Sequence, residues 1–432
     1  MNIKTSLQRP VYLVDGLRTP QLKARGVPGA FRASDLAVTA GRSLLLGQPF
    51  KPDDLDEVIF GCVSSGPDEA NIARVIALRL ACGDKVPAWS VQRNCASRMQ
   101  AVDSAAKDIA LGRANLVLAG GTEAMSHHPV LLNLKMVTWL AGFKRARSLP
   151  KKLQQLGRLR RHHLVPVIAL LRGLTDPIAG LSMGQTTEEL ASRFNISREE
   201  MDAFAVTSHQ RLAAARDLLR NEIVPLFSEA GLIEDDDGLR LDSSIDNLAK
   251  LKPVFDRKYG RVTAGNSAQV TDGASCLLLA SEEALEKHGL TPSAEILDIS
   301  WAGLDPRQMG LGPVYAIAQL LKRHRLDTDA IDWWEINEAF AGQVIACLRA
   351  IQDPAFCRDE LDTDTPFRAI PSERLNPDGG GISLGHPVGT SGARITMHLA
   401  RVLEREQGDL GIASLCIGGG QGGALLMRRV AP

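Results

Sequence analysis

A helix that leads into an apolar strand and then into glycines occurs twice in this chain. Each time a residue able to do chemistry stands just before the helix. The first copy starts at Cys95, has helical apolar spacing from Met99 to Leu111, and continues as Leu116-Val117-Leu118-Ala119 into Gly120-Gly121. The second starts at His386, reads as a helix from Thr390 to Leu403, and continues as Ile412-Ala413-Ser414-Leu415 into Cys416 and Gly418-Gly419-Gly420. Runs that are apolar without alternation predict strands buried on both faces, and strands spaced by helices predict layered α/β packing. A plan repeated at the two ends predicts two similar α/β halves. The length of 432 residues agrees, since one core seldom grows that large.

Further elements fit the plan. Val11-Tyr12-Leu13-Val14 reads as a buried strand before a turn at Asp15-Gly16, and Val58-Ile59-Phe60 as one ending at Gly61. Met183 to Arg216 is strongly helical, with a capping box at Ser197-Arg198-Glu199-Glu200. Asp235-Asp236-Asp237-Gly238 reads as a solvated turn. The balance of 50 basic and 50 acidic residues argues against general nucleic-acid binding. Seven cysteines without a CxxC spacing argue against a disulfide framework or a zinc site and for a reducing compartment. The start, Met1 to Pro10, has no signal-like apolar run, and no stretch approaches a membrane span.

Three short segments carry the chemistry: Arg93-Asn94-Cys95-Ala96-Ser97, Gly385-His386-Pro387, and Cys416-Ile417-Gly418-Gly419-Gly420-Gln421-Gly422. A thiol at a helix start meets unpaired N–H groups and the positive end of the helix dipole, which should lower its pKa. Cys95 fits that position. His386, held in a Gly–Pro turn, can take the thiol proton and then donate to a developing oxyanion. Cys416 can be a core residue or a second thiol that protonates and deprotonates a carbon acid. The glycines after it bring bare N–H groups close to a reacting carbonyl. Asn337, in Asn337-Glu338-Ala339-Phe340 after a strand at Ile331–Ile336, can hold a water on a carbonyl oxygen or cap a turn.

In this order the segments resemble the signature of the thiolase family. Also similar are Arg18-Thr19-Pro20, Gly120 to Ser126, Met183-Gly184-Gln185-Thr186-Thr187-Glu188, Val262 to Ser267 and Asp272-Gly273-Ala274, which together cover nearly the whole chain. The resemblance implies an α/β thiolase fold, five-layered α/β/α/β/α, of two similar halves with an inserted loop domain. The expected boundaries are 1–121 with 270–289 for the first half, 122–269 for the loop domain, and 290–432 for the second half.

The resemblance also implies thiolytic cleavage of 3-ketoacyl-CoA to acetyl-CoA and a shortened acyl-CoA, by ping-pong through an acyl-cysteine. The reverse is a Claisen condensation. Cys95 would be the acylated nucleophile and His386 its activator. His386 would also contribute to one oxyanion hole, in which Asn337 would position a water, and Cys416 would be the acid/base of the carbon–carbon step. The N–H groups of Cys95 and Gly418 would form a second oxyanion hole. Met183, Ser267 and Ala268 would lie against coenzyme A, which is a substrate rather than a permanently bound cofactor; no metal is implied. Two positions depart from the common pattern, Ser182 for His and Ala268 for Ser, both in the pantetheine region. Alternatives are a biosynthetic acetoacetyl-CoA thiolase and a non-catalytic thiolase-fold lipid carrier. Ketoacyl synthases, which use two histidines and one cysteine, fit less well because of Cys416.

No acidic residue occurs between Glu123 and Asp176, while Lys144, Arg145, Arg147, Lys151, Lys152, Arg158, Arg160 and Arg161 alternate with leucines and aromatics. The stretch from Leu134 to Thr175 reads as a helical subdomain with a basic face, a surface for anionic lipid, a docking site for a partner subunit, or an attractor for the phosphates of a nucleotide-like substrate carrier. It is similar to the segment in thiolase subunits of fatty-acid oxidation complexes. The resemblance implies acyl-CoA and CoA as ligands and a homodimer or homotetramer. It also implies a hydratase/dehydrogenase partner subunit or a peripheral membrane contact, no nucleic acid, and a cytoplasmic location (mitochondrial matrix in a eukaryote).

Overall fold

In the computed structural model, which describes residues 5–430, the two halves are sheets joined edge to edge. The first half holds β1 (Tyr12–Arg18), α1 (Ala33–Leu46), β2 (Glu57–Gly61), α2 (Ile72–Arg79), β3 (Ala88–Val91), α3 (Ser97–Ala110) and β4 (Leu116–Ala124). The chain then leaves the sheet for α4 (Leu134–Arg145), α5 (Leu149–Leu156), α6 (Met183–Arg193) and α7 (Arg198–Leu219), and returns as β5 (Thr271–Ala280). The second half holds β6 (Ala294–Gly303), α8 (Gly312–His324), β7 (Trp333–Ile336), α9 (Ala341–Ala350), α10 (Ser391–Arg405), β8 (Leu410–Ile417) and β9 (Gln421–Arg429).

Strand order is β3-β2-β4-β5-β1 in one half and β7-β8-β9-β6 in the other. In each, a parallel pair (β2–β4, β7–β8) is followed by two antiparallel steps. The place of β3 is taken in the second half by one parallel bridge, Trp334 to Leu375. The halves join where Tyr12 and Leu13 of β1 pair antiparallel with Glu295 and Ala294 of β6. Every residue of β4, β5 and β8 is buried, which explains their unbroken apolar runs.

Three apolar cores separate five layers. One lies under α1 and α2 on the outer face of the first sheet, one under α8 and α9 on the outer face of the second. The third is central: Met99, Val102, Ala106 and Ile109 of α3 meet Ile395, Leu399 and Leu403 of α10 between the two inner faces. At the contact the helices touch backbone to backbone, since a Cβ on Gly392 would lie 2.8 Å from the Met99 amide nitrogen.

Two expectations are corrected. Gly120-Gly121 does not end β4 but lies inside it, paired with Cys276 and Ser275. The glycines are needed there for space: a Cβ on Gly120 would sit 2.7 Å from the Phe60 ring, and one on Gly121 2.6 Å from the Gly61 carbonyl oxygen. The run 235–238 is not simply a solvated turn. Asp236 is buried and accepts from Arg18 Nη1 and Nη2 at 2.6 and 2.8 Å, while Asp235 accepts from Arg216 and Arg220. The capping box at Ser197 and Glu200 is present, and the helical stretch breaks into α6 and α7 before it.

Arg18 opens a buried ionic chain through the molecule. Its Nε donates to Glu222 at 2.6 Å; His398 Nδ1 meets Glu222 and its Nε2 meets Asp378, both at 3.1 Å; Arg405 reaches Asp378 at 2.7 Å. Burial alone would push the His398 pKa down, but Glu222 and Asp378 push it up to about 9. The chain ties β1, the end of α7 and α10 together. Removing one partner from a buried pair leaves an uncompensated charge. Arg18→Met should therefore lower the unfolding free energy by about 3–5 kcal/mol in urea titration. A loss within experimental error of zero would show that the chain carries no net stability.

Candidate active site

Cys95 stands two residues before α3, where the backbone is forced into place. Asn94 has φ 43°, in the left-handed region that Asn tolerates. Its Nδ2 donates to the Gly418 carbonyl at 2.7 Å. Gly61 lets the start of α3 press on β2, because a Cβ there would be 2.5 Å from the Ser97 carbonyl carbon. Across the gap, Gly419 and Gly420 (φ 91° and 76°) make the tight connection from β8 to β9 that only glycine takes without strain. That turn aims the Gly418 N–H at the Cys95 sulfur, which also meets its own backbone N–H.

These N–H groups do not make Cys95 a thiolate. Burial is the larger effect and raises its pKa; the two N–H groups lower it, and buried Glu123 adds to the rise. The lowered pKa expected from the helix start is thereby corrected: desolvation exceeds the helix-end field. Cys416, at the end of β8, is pushed well above the usual thiol range by burial, then by Cys95 and Cys347. His386 is pushed down to about 4, by burial and then by Arg394, so its imidazole is neutral.

His386 is oriented from behind. Its Nδ1 lies 2.6 Å from Ser391 Oγ and 3.5 Å from Asn337 Nδ2, and its amide donates to the Gln269 carbonyl. Its Nε2 is buried and has no protein partner, as is Asn337 Oδ1. Asn337 therefore sits beside His386. Its neighbour Glu338 is held by Ser208, Asn376 and the Ile382 amide.

Two cavities meet at Cys95. The inner one, about 150 Å³, is lined by His386, Cys416, Met183, Ser267 and Ala268, among others. The outer one, about 250 Å³, is lined by Asn94, Gly418, Gly419 and part of the inserted segment. Cys95, Met125, Leu174, Met183 and Val388 border both. Thus Cys95, His386, Cys416, Met183, Ser267 and Ala268 share the inner space, and Gly418 borders the outer one. Ser267 spends its hydroxyl proton on the Thr263 carbonyl, and Ser182 caps α6. Sequence reasoning missed Ser391, whose place at the start of α10 reads as a helix cap, and Asn94, whose role depends on a residue far along the chain. It also missed the return of Leu170–Ile178 over the site. Among the described residues no cluster of His, Cys, Asp or Glu could hold a metal ion.

The geometry can be set beside known proteins. The model of the thiolase N-terminal domain matches residues 11–283, and that of the thiolase C-terminal domain residues 290–429. The chain is 39% identical to a beta-ketoadipyl-CoA thiolase of Pseudomonas aeruginosa, over 98% of this chain and 100% of that protein. It is 36% identical to the mitochondrial trifunctional enzyme subunit beta of Bos taurus, over 97% and 88%. A crystal structure of human mitochondrial 3-ketoacyl-CoA thiolase in complex with CoA superposes with a TM-score of 0.84 at 36% identity, covering 98% of this chain and 99% of that one.

A neutral thiol beside a neutral imidazole has a defined pH signature. The thiolate fraction of a group with a raised pKa grows as pH rises, whereas a thiolate–imidazolium pair is already reactive in mild acid. Alkylation of Cys95 by iodoacetamide, followed by mass spectrometry, should accelerate steadily from pH 6 to 9, about tenfold per unit below the thiol pKa. A rate that is flat over that range would contradict the neutral resting site.

Proposed function

The chain belongs to the thiolase family, and from that premise we propose that Cys95 carries the acyl group while His386 and Cys416 move the protons. The enzyme is an acyltransferase that cleaves 3-ketoacyl-CoA thiolytically. What supports the residue roles is one observation: Cys95, Cys416 and His386, whose Nε2 has no protein partner, line a single cavity.

In the first stage His386 Nε2 takes the Cys95 proton and the sulfur attacks the 3-keto carbon. The bond between the α- and β-carbons breaks, and Cys416 gives its proton to the α-carbon, releasing acetyl-CoA. In the second stage a fresh CoA thiol gives its proton to the Cys416 thiolate and attacks the acyl-cysteine. Cys95 leaves and recovers its proton from His386. The N–H groups of Cys95 and Gly418 face the oxyanion on the acyl carbon in both stages. With Nε2 as the base, Nδ1 carries the ring proton and donates to Ser391 Oγ, which fixes the tautomer and orientation of the imidazole. Met183, Ser267 and Ala268 border the pantetheine arm of coenzyme A. The two thiols, histidine and glycine turn speak against a lipid carrier, and the enzyme works in degradative thiolysis rather than biosynthetic condensation.

The inserted segment is a hairpin (Val130–Leu132 with Pro166–Ile168), α4, α5 and a short helix at Ala169–Gly173. Its small core is Trp139 stacked on Phe143. Leu134, Leu149, Leu153 and Leu164 remain exposed among the basic residues. We infer that this face docks a partner subunit, an anionic lipid surface being the second reading, and that β3, a sheet edge with Trp89 partly exposed, pairs with a second copy. No helix among the described residues is long and apolar enough to cross a membrane.

Two outcomes are expected. After incubation with acetyl-CoA, mass spectrometry should find the adduct on Cys95 and none in Cys95→Ser; Cys416→Ala should still acylate, more slowly because Cys416 also exchanges the proton of the CoA sulfur, and should lose more, at least about a hundredfold, in the carbon–carbon step. An adduct on another cysteine, or equal slowing of both stages, would overturn the roles. Secondly, reversing Arg158, Arg160 and Arg161 to Glu should abolish pull-down of a hydratase/dehydrogenase subunit. Sedimentation of the parent with anionic vesicles, and its mass when free, test the lipid and oligomer readings. No partner captured by the parent would rule out docking.

A further inference from the structure

His128 lines the outer cavity, and no group of the protein lies within hydrogen-bond distance of its ring nitrogens. Its side chain is 10% exposed, and both ring nitrogens are buried without a hydrogen-bond partner. The nearest acid, Glu123, lies 3.6 Å away and is engaged by the Val63 and Ser64 amides at 2.9 and 3.0 Å. The cavity it borders is mostly apolar, with Val63, Met125, Leu170, Leu174 and Ile178, and also holds Asn94, Thr175 and Asp176. A buried polar group without a partner is costly, so a ring placed there implies a ligand that supplies one.

The two cavities divide the substrate between them. Cys416, which exchanges protons with the α-carbon and the sulfur of the CoA-bearing fragment, borders the inner cavity. With the acyl carbon on Cys95, the rest of the acyl tail is left the outer cavity, on the side of Gly418 and Gly419. His128 therefore faces the tail. This assignment rests on the thiolase reading given above.

We propose that His128 is a specificity residue that reads a neutral polar group, a hydroxyl, on the acyl tail of the substrate. A neutral imidazole offers one N–H and one lone pair, and a hydroxyl can answer either. Burial pushes its pKa down, which keeps it neutral. The titratable groups around it are acidic: Asp272, Glu123, whose pKa burial pushes up to about 7, and Asp176 in the cavity lining; none of them favours a carboxylate tail. A plain alkyl tail leaves both nitrogens unpaired, and sites built to bond a hydroxyl discriminate strongly against the analogue that lacks it.

The test is a length series of 3-ketoacyl-CoAs made in pairs, terminal methyl against terminal hydroxyl, with kcat/KM measured for each. At the length where the tail end reaches His128, the parent should prefer the hydroxyl member by about tenfold or more. His128→Leu should reverse that preference, and His128→Gln should retain part of it, with folding checked by circular dichroism. A parent that prefers methyl at every length, or a ratio unchanged in a folded His128→Leu, would overturn the inference. If His128→Leu fails to fold, the parent series alone decides. Thiolysis without a hydroxyl preference sinks the role of His128 only; no thiolysis of any substrate, acetoacetyl-CoA included, sinks the underlying activity and this inference with it.

Discussion

The contact between α3 and α10 in the central layer sets everything else at the site. Each helix belongs to a different half, and each starts beside a reacting residue: Cys95 before α3, His386 and Ser391 at the approach to α10. Gly392 allows the helices to meet on the backbone of Met99, and buried Arg98 fastens the joint by donating to Ser275 Oγ and the Thr390 carbonyl. A side chain at Gly392 would move one half against the other and separate thiol from imidazole. Catalytic geometry here is a property of how two similar cores are docked, and a small misplacement of reacting groups is costly to rate.

Electrostatics explains why the resting site is quiet. Burial raises both thiols and lowers His386, and the two N–H groups near Cys95 offset only part of that. A site that holds neutral groups when empty avoids the cost of isolated buried charge. Charge then develops only when the thioester arrives, facing donors already fixed by the Gly418 turn and the Asn94 clamp.

Much of this was legible in the sequence because it is local. The doubled helix–strand–glycine plan, the buried strands and the positions of Cys95, His386 and Cys416 follow from short-range patterns, and the family resemblance supplied the five-layered architecture. What escaped is long-range. Asp236 reads as a turn until Arg18 is placed against it, since nothing local marks a partner so distant in sequence. Gly120-Gly121 reads as a strand end because the demand for space comes from Phe60 and Gly61. Ser391 and the return of Leu170–Ile178 over Cys95 depend on docking of elements that periodicity cannot see. The helix-start argument for Cys95 named a real effect but not the larger one.

The central claim is that one sulfur, lying where two cavities meet, holds the acyl group between two separate half-reactions. Initial velocities of thiolysis, with 3-ketoacyl-CoA and CoA varied together, test it most directly. Release of acetyl-CoA before CoA enters predicts parallel double-reciprocal lines. Lines that intersect would mean that both substrates occupy the site together before any bond is broken, and would contradict the account.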